Sequence, residues 1–203
     1  MKLSILVATI SERADSYFPN LTKELMRQIG DRKDIEIVGL MDNRRRSIGV
    51  KRQNLLDLAQ GEYLVYFDDD DTPAPDYVPS IMAALDSAPG VDAVAFQVQY
   101  TNLGTGENFL CKYDKDERGR GKRPDGTWHG PICHIHVIRS AVARTVRWLE
   151  APKGSQWTLD ATWASAVVEN IKTQVKIDRP LYLYNYDPRI SETLKRNHRI
   201  DGR

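Results

Sequence analysis

Cysteine is almost missing from this chain: only Cys111 and Cys133 occur among 203 residues. Two cysteines cannot build a disulfide framework, so a reducing cytoplasm is the expected compartment. Long apolar runs are missing as well. No stretch approaches the roughly 20 residues needed to span a bilayer. The apolar start, residues 3–8, is cut short by Ser11, Glu12 and Arg13, too early for a signal peptide. Net charge is nearly nil: 29 Lys and Arg face 28 Asp and Glu, leaving +1. No global field therefore drives the chain towards nucleic acid or membrane. Ala8-Thr9-Ile10-Ser11-Glu12 contains no glycine, which argues against a glycine-rich phosphate loop after the first strand. There is no internal repeat and no low-complexity segment.

What is present alternates between two periods. Residues 3–8 and 35–41 are short apolar runs, as in parallel strands buried on both faces. Between them Tyr17, Leu21, Leu25 and Ile29 recur every fourth residue, the stripe of an amphipathic helix stopped by Gly30 and Asp31. Residues 47–59 read as a second helix with Ser47 as N-cap, and residues 63–67 as a third strand. Strand, helix, strand, helix, strand predicts a Rossmann-like, mostly parallel α/β sheet with helices on both faces. Such sheets bind ligands beyond the carboxyl ends of their strands, so Thr9, Asp42 and Asp68 to Asp71 should face one crevice. Further on, the pattern predicts a helix over 76–87, capped by Asp76, and strands over 91–98 and 132–138. It predicts helices over 140–148 and 159–170, and an extended segment over 175–184 interrupted by Pro180. Residues 100–130 read as an exposed excursion or hairpin, and residues 194–203 as a basic tail.

The acidic run Asp68-Asp69-Asp70-Asp71 closes the third strand. Four adjacent carboxylates repel one another, and folding has no evident need for them there. A hard divalent cation does, because it takes oxygen ligands and cancels the repulsion, with phosphates completing its shell. The plain alternative is a solvated acidic loop ahead of the next helix.

These residues carry a resemblance. The strand Tyr63-Leu64-Val65-Tyr66-Phe67, the run Asp68-Asp69-Asp70-Asp71 and then Pro75-Asp76-Tyr77 resemble the core of the family 2 glycosyltransferases of the GT-A fold. Asn54, Ala59, Gly61, Glu62 and Tyr63 resemble the stretch preceding it there, with Leu56 where a glycine is usual. The resemblance covers residues 3–98 well and 130–186 loosely. It implies a single domain, with residues 1–98 binding the nucleotide sugar and 99–203 the acceptor. It further implies a DxD motif in which Asp68 and Asp70 meet a manganese or magnesium ion and the donor ribose, with Asp69 beside them. Thr9, Glu12 and Asp42 would line the nucleotide, and Lys51 and Arg52 would contact the donor unless they merely face solvent. Asp160, in Trp157-Thr158-Leu159-Asp160, would be the catalytic base, although Leu159 replaces the usual glutamate. Otherwise Asp160 is a first-turn acid complementing its helix dipole. His198 would be a third metal ligand, or part of a solvated tail. The implied reaction is an inverting transfer of a hexosyl or pentosyl group from a nucleotide-diphosphate sugar, by default a UDP-sugar. Lacking Gln-x-x-Arg-Trp, the chain would be non-processive.

His134 and His136 would share a strand face with Cys133 on the other, a poor zinc half-site without a second half. Trp128, His129, Trp157 and Trp163 are candidate acceptor contacts, since aromatic rings stack on sugars and bases alike. The acceptor is then a glycan, a lipid-linked glycan, or a hydroxymethylated base in DNA, as in phage genomes. Arg44, Arg45, Arg46, Lys122, Arg123 and the basic tail are available to meet phosphates in the last case. Two rivals stand beside this reading: a nucleotidyltransferase, and a non-catalytic module that binds metal or sugar nucleotide.

Overall fold

A computed structural model describes residues 1–148 and 156–189. The chain opens with β1 (Leu3–Ile10), one 3-10 turn (Ser11–Arg13), α1 (Tyr17–Ile29), β2 (Ile35–Asp42), α2 (Ile48–Leu58) and β3 (Tyr63–Asp68). The helical stripe read from the sequence is the one that packs: Leu21 and Leu25 are buried on α1. Ser47 caps α2 by accepting from the Val50 N–H at 3.3 Å. β4 (Thr72–Pro73) and α3 (Tyr77–Ser87) follow the acidic run. Asp76 precedes α3 without a side-chain cap. Its carboxylate instead accepts from Ser80 Oγ at 3.0 Å and pairs with Arg179.

The second half supplies β5 (Ala93–Asn102), β6 (Asn108–Asp114), β7 (Gly121–Lys122), β8 (Trp128–Pro131), β9 (Val137–Arg139), α4 (Ser140–Ala143), α5 (Gln156–Val168) and β10 (Gln174–Tyr186). Among the described residues all ten strands belong to one sheet, ordered β2-β1-β3-β9-β5-β6-β8-β7, with β10 pairing both β5 and β4. β2, β1 and β3 run parallel, as does β10 beside β5. β9 is antiparallel to both β3 and β5, so the sheet is mixed. Its Rossmann-like form is the one the alternating pattern predicts.

Alternation along β3 sorts the core into two layers. Tyr63, Val65 and Phe67 pack with Leu21, Leu25, Tyr77 and Ile81 under α1 and α3. Leu64 and Tyr66 pack with Leu55, Leu56, Trp148, Trp163 and Val167 under α2 and α5. Helices thus cover both faces.

Two expectations of the second half are corrected. Residues 132–136 form a turn rather than strand: the His136 N–H donates to the Cys133 carbonyl at 3.0 Å, and the His134 carbonyl accepts from the Tyr66 N–H at 3.0 Å. The turn closes on itself because His136 Nδ1 accepts from the Cys133 N–H at 3.3 Å, so the two histidines do not share a strand face. The helix expected over 140–148 is confined to α4. For residues 100–130 the hairpin alternative holds: β6 turns back antiparallel to β5, and β8 and β7 continue the sheet from it.

Gly61 sits where the entry to β3 crosses β1. A Cβ there would lie 2.5 Å from the Tyr63 carbonyl and 2.6 Å from the Ser4 nitrogen, both backbone atoms. Gly61→Ala is expected to destabilise the fold by about 1–3 kcal/mol, as overpacking does. The shift is read from the midpoint of urea unfolding. An unchanged midpoint would show that the crossing can widen freely.

Candidate active site

The parallel register aligns the ends of β1, β2 and β3. Ile10 stands opposite Asp42, and Ala8 opposite Asp68. Lys51 reaches from α2 into this crevice, donating to the Thr9 carbonyl at 2.9 Å and to Asp42 Oδ1 at 3.1 Å. It is only 4% exposed, and Arg52 only 3%. The reading of these two cations as a solvated helix face is overturned, because α2 turns them towards the strand ends. Asp42 also accepts from the Arg46 N–H at 2.8 Å. Burial would raise its pKa, but that N–H and the Lys51 ammonium prevail and hold it below the ordinary range. Arg44 beside it takes a φ of 64°, a left-handed conformation that non-glycine residues adopt at a cost and that clusters at functional sites. Glu12 pairs with Arg44 at the exposed rim.

The four carboxylates of the acidic run have separate fates. Asp69 is buried, accepting from Thr9 Oγ1 at 2.5 Å and pairing with Arg13. Asp71 is buried on the other side, accepting from Tyr182 Oη at 2.6 Å and from the Asn185 N–H at 2.8 Å. Both therefore tie the loop to its neighbours, which corrects the view that folding has no use for them. Asp68 and Asp70 remain partly exposed. Asp70 pairs with Arg13 Nη2 at 2.9 Å. Burial, reinforced by the charges of Asp68 and Asp69 and opposed by Arg13, pushes its pKa up to about 6. Asp68 is moved the other way. Burial opposes its ionisation, but Arg52 and then His134 outweigh it and hold the carboxyl well below the usual range.

Arg52 is the hub of the site. Its Nη1 donates to Asp160 Oδ1 and its Nη2 to Asp68 Oδ1 at 3.1 Å. Nη2 also lies 2.9 Å from His134 Nε2. His134 Nδ1 is buried with no hydrogen-bond partner among the described residues. The guanidinium lies over the Trp148 ring, 5.0 Å from its centroid. Asp160 is brought to Asp68 although 92 positions separate them (160 − 68). It is the fifth residue of α5, whose first turn carries no acid. The helix-dipole alternative therefore loses its ground.

The residues present fit a hard cation of limited demand. Among the described residues no group of three His, Cys, Asp or Glu is placed to hold a metal ion. Asp68 and Asp70 are partly exposed, each paired with one arginine, and such a pair suits magnesium or manganese, which bind through one or two carboxylates and fill their shell with phosphate and water. His198 and the basic tail lie outside the described residues, as does the side chain of Trp157.

Trp163 is corrected from an acceptor platform to a core residue: it is 2% exposed and stacks on Trp148 with centroids 4.6 Å apart. Trp128 leans on Tyr113. His129 lies 2.9 Å from Thr127 Oγ1 and lines a recess of about 150 Å³ with Lys112, Glu117 and Lys176. Sequence reasoning missed Arg13, Tyr182 and Asn185, and gave His134 no defined place.

The family model described as "Glycosyl transferase family 2" matches residues 5–147. Among solved structures, S. aureus TarS 1–349 in complex with UDP-GlcNAc superposes with a TM-score of 0.68 at 15% identity, over 96% of this chain and 61% of that one. The same TarS segment in complex with UDP gives 0.61 at 14% identity, over 93% and 61%. Glucosyl-3-phosphoglycerate synthase from Mycobacterium tuberculosis, in complex with Mg2+ and UDP, gives 0.57 at 12% identity, over 97% and 76%. The chain thus spans about three fifths of the length of the TarS segment, and likeness at these identities shows the fold alone. Comparison with curated protein sequences finds no match.

Proposed function

This chain belongs to glycosyl transferase family 2, and we propose on that footing that it moves a sugar from a nucleotide-diphosphate sugar, by default a UDP-sugar, to an acceptor hydroxyl. The observation that carries the reading is the meeting of Asp68 and Asp160 on the single guanidinium of Arg52. Two carboxylates on one guanidinium support reading Asp68 as the donor-side group and Asp160 as the base beside it. Family membership favours this over nucleotidyl transfer.

The nucleotide lies across the ends of β1 and β2, against Thr9, Asp42 and Lys51, with Glu12 at the rim. Asp68 and Asp70 would hold manganese or magnesium. When bound, that ion stabilises the negative charge that develops on the departing diphosphate. Asp160 accepts the proton of the acceptor hydroxyl. The acceptor oxygen bonds to the anomeric carbon as the bond from that carbon to the diphosphate oxygen breaks. UDP leaves with the electron pair, and the anomeric configuration inverts.

The acceptor is a glycan or lipid-linked glycan in preference to a DNA base. Three of the basic residues available for phosphate contact are already answered by acids: Arg44 by Glu12, Lys122 by Glu107 and Arg123 by Glu117. With a net charge of +1, little remains to release counterions from a duplex.

A thermal-shift titration with UDP and manganese tests the donor site. At a hundredfold excess over the dissociation constant, a native-state ligand stabilises by about 2.7 kcal/mol. UDP with manganese is expected to raise the melting temperature, and chelator or Asp70→Ala to remove the rise. No shift with any nucleoside diphosphate, with either metal, would remove the support for a donor site.

A further inference from the structure

We propose that Arg52 is a positioning residue for Asp160 and does not itself hold the donor. The inference rests on the transferase reading and deepens it. Three of the five guanidinium N–H groups are engaged, with Asp160, Asp68 and His134. One face is against Trp148. The residue's own carbonyl accepts from Tyr66 Oη at 3.0 Å, which pins the helix beneath it. A side chain gripped in this way and 3% exposed has little surface left for a diphosphate.

What it does to Asp160 follows from the geometry. Arg52 takes Oδ1. The side chain of Asp160 is 42% exposed, and Oδ2 has no protein partner among the described residues. The pair therefore anchors the carboxylate through Oδ1 and leaves Oδ2 able to accept a proton. Asp68 and His134 hold the guanidinium from the strand side, so the position of the base is set by β3 and by the turn at 132–136 as well as by its own helix. Arginine suits the task because its planar fork bridges several acceptors at fixed angles, whereas lysine offers a point charge on a flexible stem.

The test uses UDP-GlcNAc with manganese and water as acceptor. Water's oxygen bonds to the anomeric carbon, its proton passes to Asp160, and UDP leaves with the bonding pair. Turnover, donor KM and the UDP dissociation constant are measured for wild type, Arg52→Lys, Asp160→Asn and the double variant. Misplacing a reacting group by an ångström costs about 100-fold. Arg52→Lys is expected to lower kcat by that order, with donor KM and UDP affinity within about twofold, and to add nothing in the Asp160→Asn background. A rise in KM with kcat unchanged makes Arg52 a donor contact and overturns the proposal. So does an additive effect in the double variant. Retained UDP affinity reports that Arg52→Lys is folded. If it is not folded, His134→Gln takes its place, with the same split expected and the same failures counted against the proposal. Wild-type protein that binds no UDP overturns the transferase reading and this inference together, whereas binding and turnover that ignore Arg52 overturn the inference alone.

Discussion

Asp160→Asn is expected to lower transfer by about 10²- to 10⁴-fold, the usual contribution of a positioned general base, while UDP affinity stays at the wild-type value. The substitution is nearly isosteric. The amide oxygen can still accept from Arg52 Nη1, so the bridge to Asp68 and His134 has no reason to fall apart. What is lost is the ability of Oδ2 to take a proton. The same variant separates a transferase from a module that only binds sugar nucleotide: a binding module has no turnover to lose. Turnover within a factor of two of wild type would strip Asp160 of its role. Loss of UDP affinity along with turnover would place it in the donor pocket instead.

The largest expected effect on stability belongs to Trp148→Ala, about 3–5 kcal/mol, as for other large-to-small changes of buried aromatics. Trp148 is buried, stacked on Trp163 and edge-on to Tyr66 at 5.5 Å. Its Nε1–H donates to Tyr66 Oη at 2.9 Å. Stacked and edge-to-face aromatic pairs contribute beyond their buried area. Removing the indole opens a cavity in the core layer under α5 and takes away the ring over which Arg52 lies. Urea unfolding should show the loss as a lower midpoint, and turnover should fall in the fraction that remains folded. A change below about 1 kcal/mol would mean that this layer repacks without the stack.

The first three strands and two helices were legible because each is spelled by a single local pattern. β1 and β3 are largely apolar runs, α1 carries its fourfold stripe, and Ser47 caps α2 as its chemistry suggests. The second half was less legible. Residues 132–138 have the apolar character of a strand, but a self-closing turn consumes the first five, and only tertiary contacts decide between the two. The site was legible in part. Asp68 and Asp160 meet on Arg52, Asp70 pairs with Arg13, and Asp42 closes the strand beside β1. The work of Asp69 and Asp71 depends on partners that no local pattern announces: Arg13 lies 56 positions away, and Asn185 lies 114. A signal for Arg13 did exist, since four adjacent carboxylates call for a nearby cation and it follows the strand next to theirs. Trp163 had a signal too: Leu159, Trp163 and Val167 recur every fourth residue and all three are buried, the spacing of a core stripe. Burial of Lys51 and Arg52 could not be read from α2 itself, because it depends on which strand ends the helix faces.

The most direct test of the donor site is a crystal structure of the protein with UDP and manganese, recorded with anomalous data at the manganese edge. The assignment predicts one strong anomalous peak within coordination distance of Asp70, with the uridine across the ends of β1 and β2 beside Asp42 and Lys51. A nucleotide seated elsewhere, such as the recess lined by Lys112 and His129, or a peak remote from the acidic run, would contradict it.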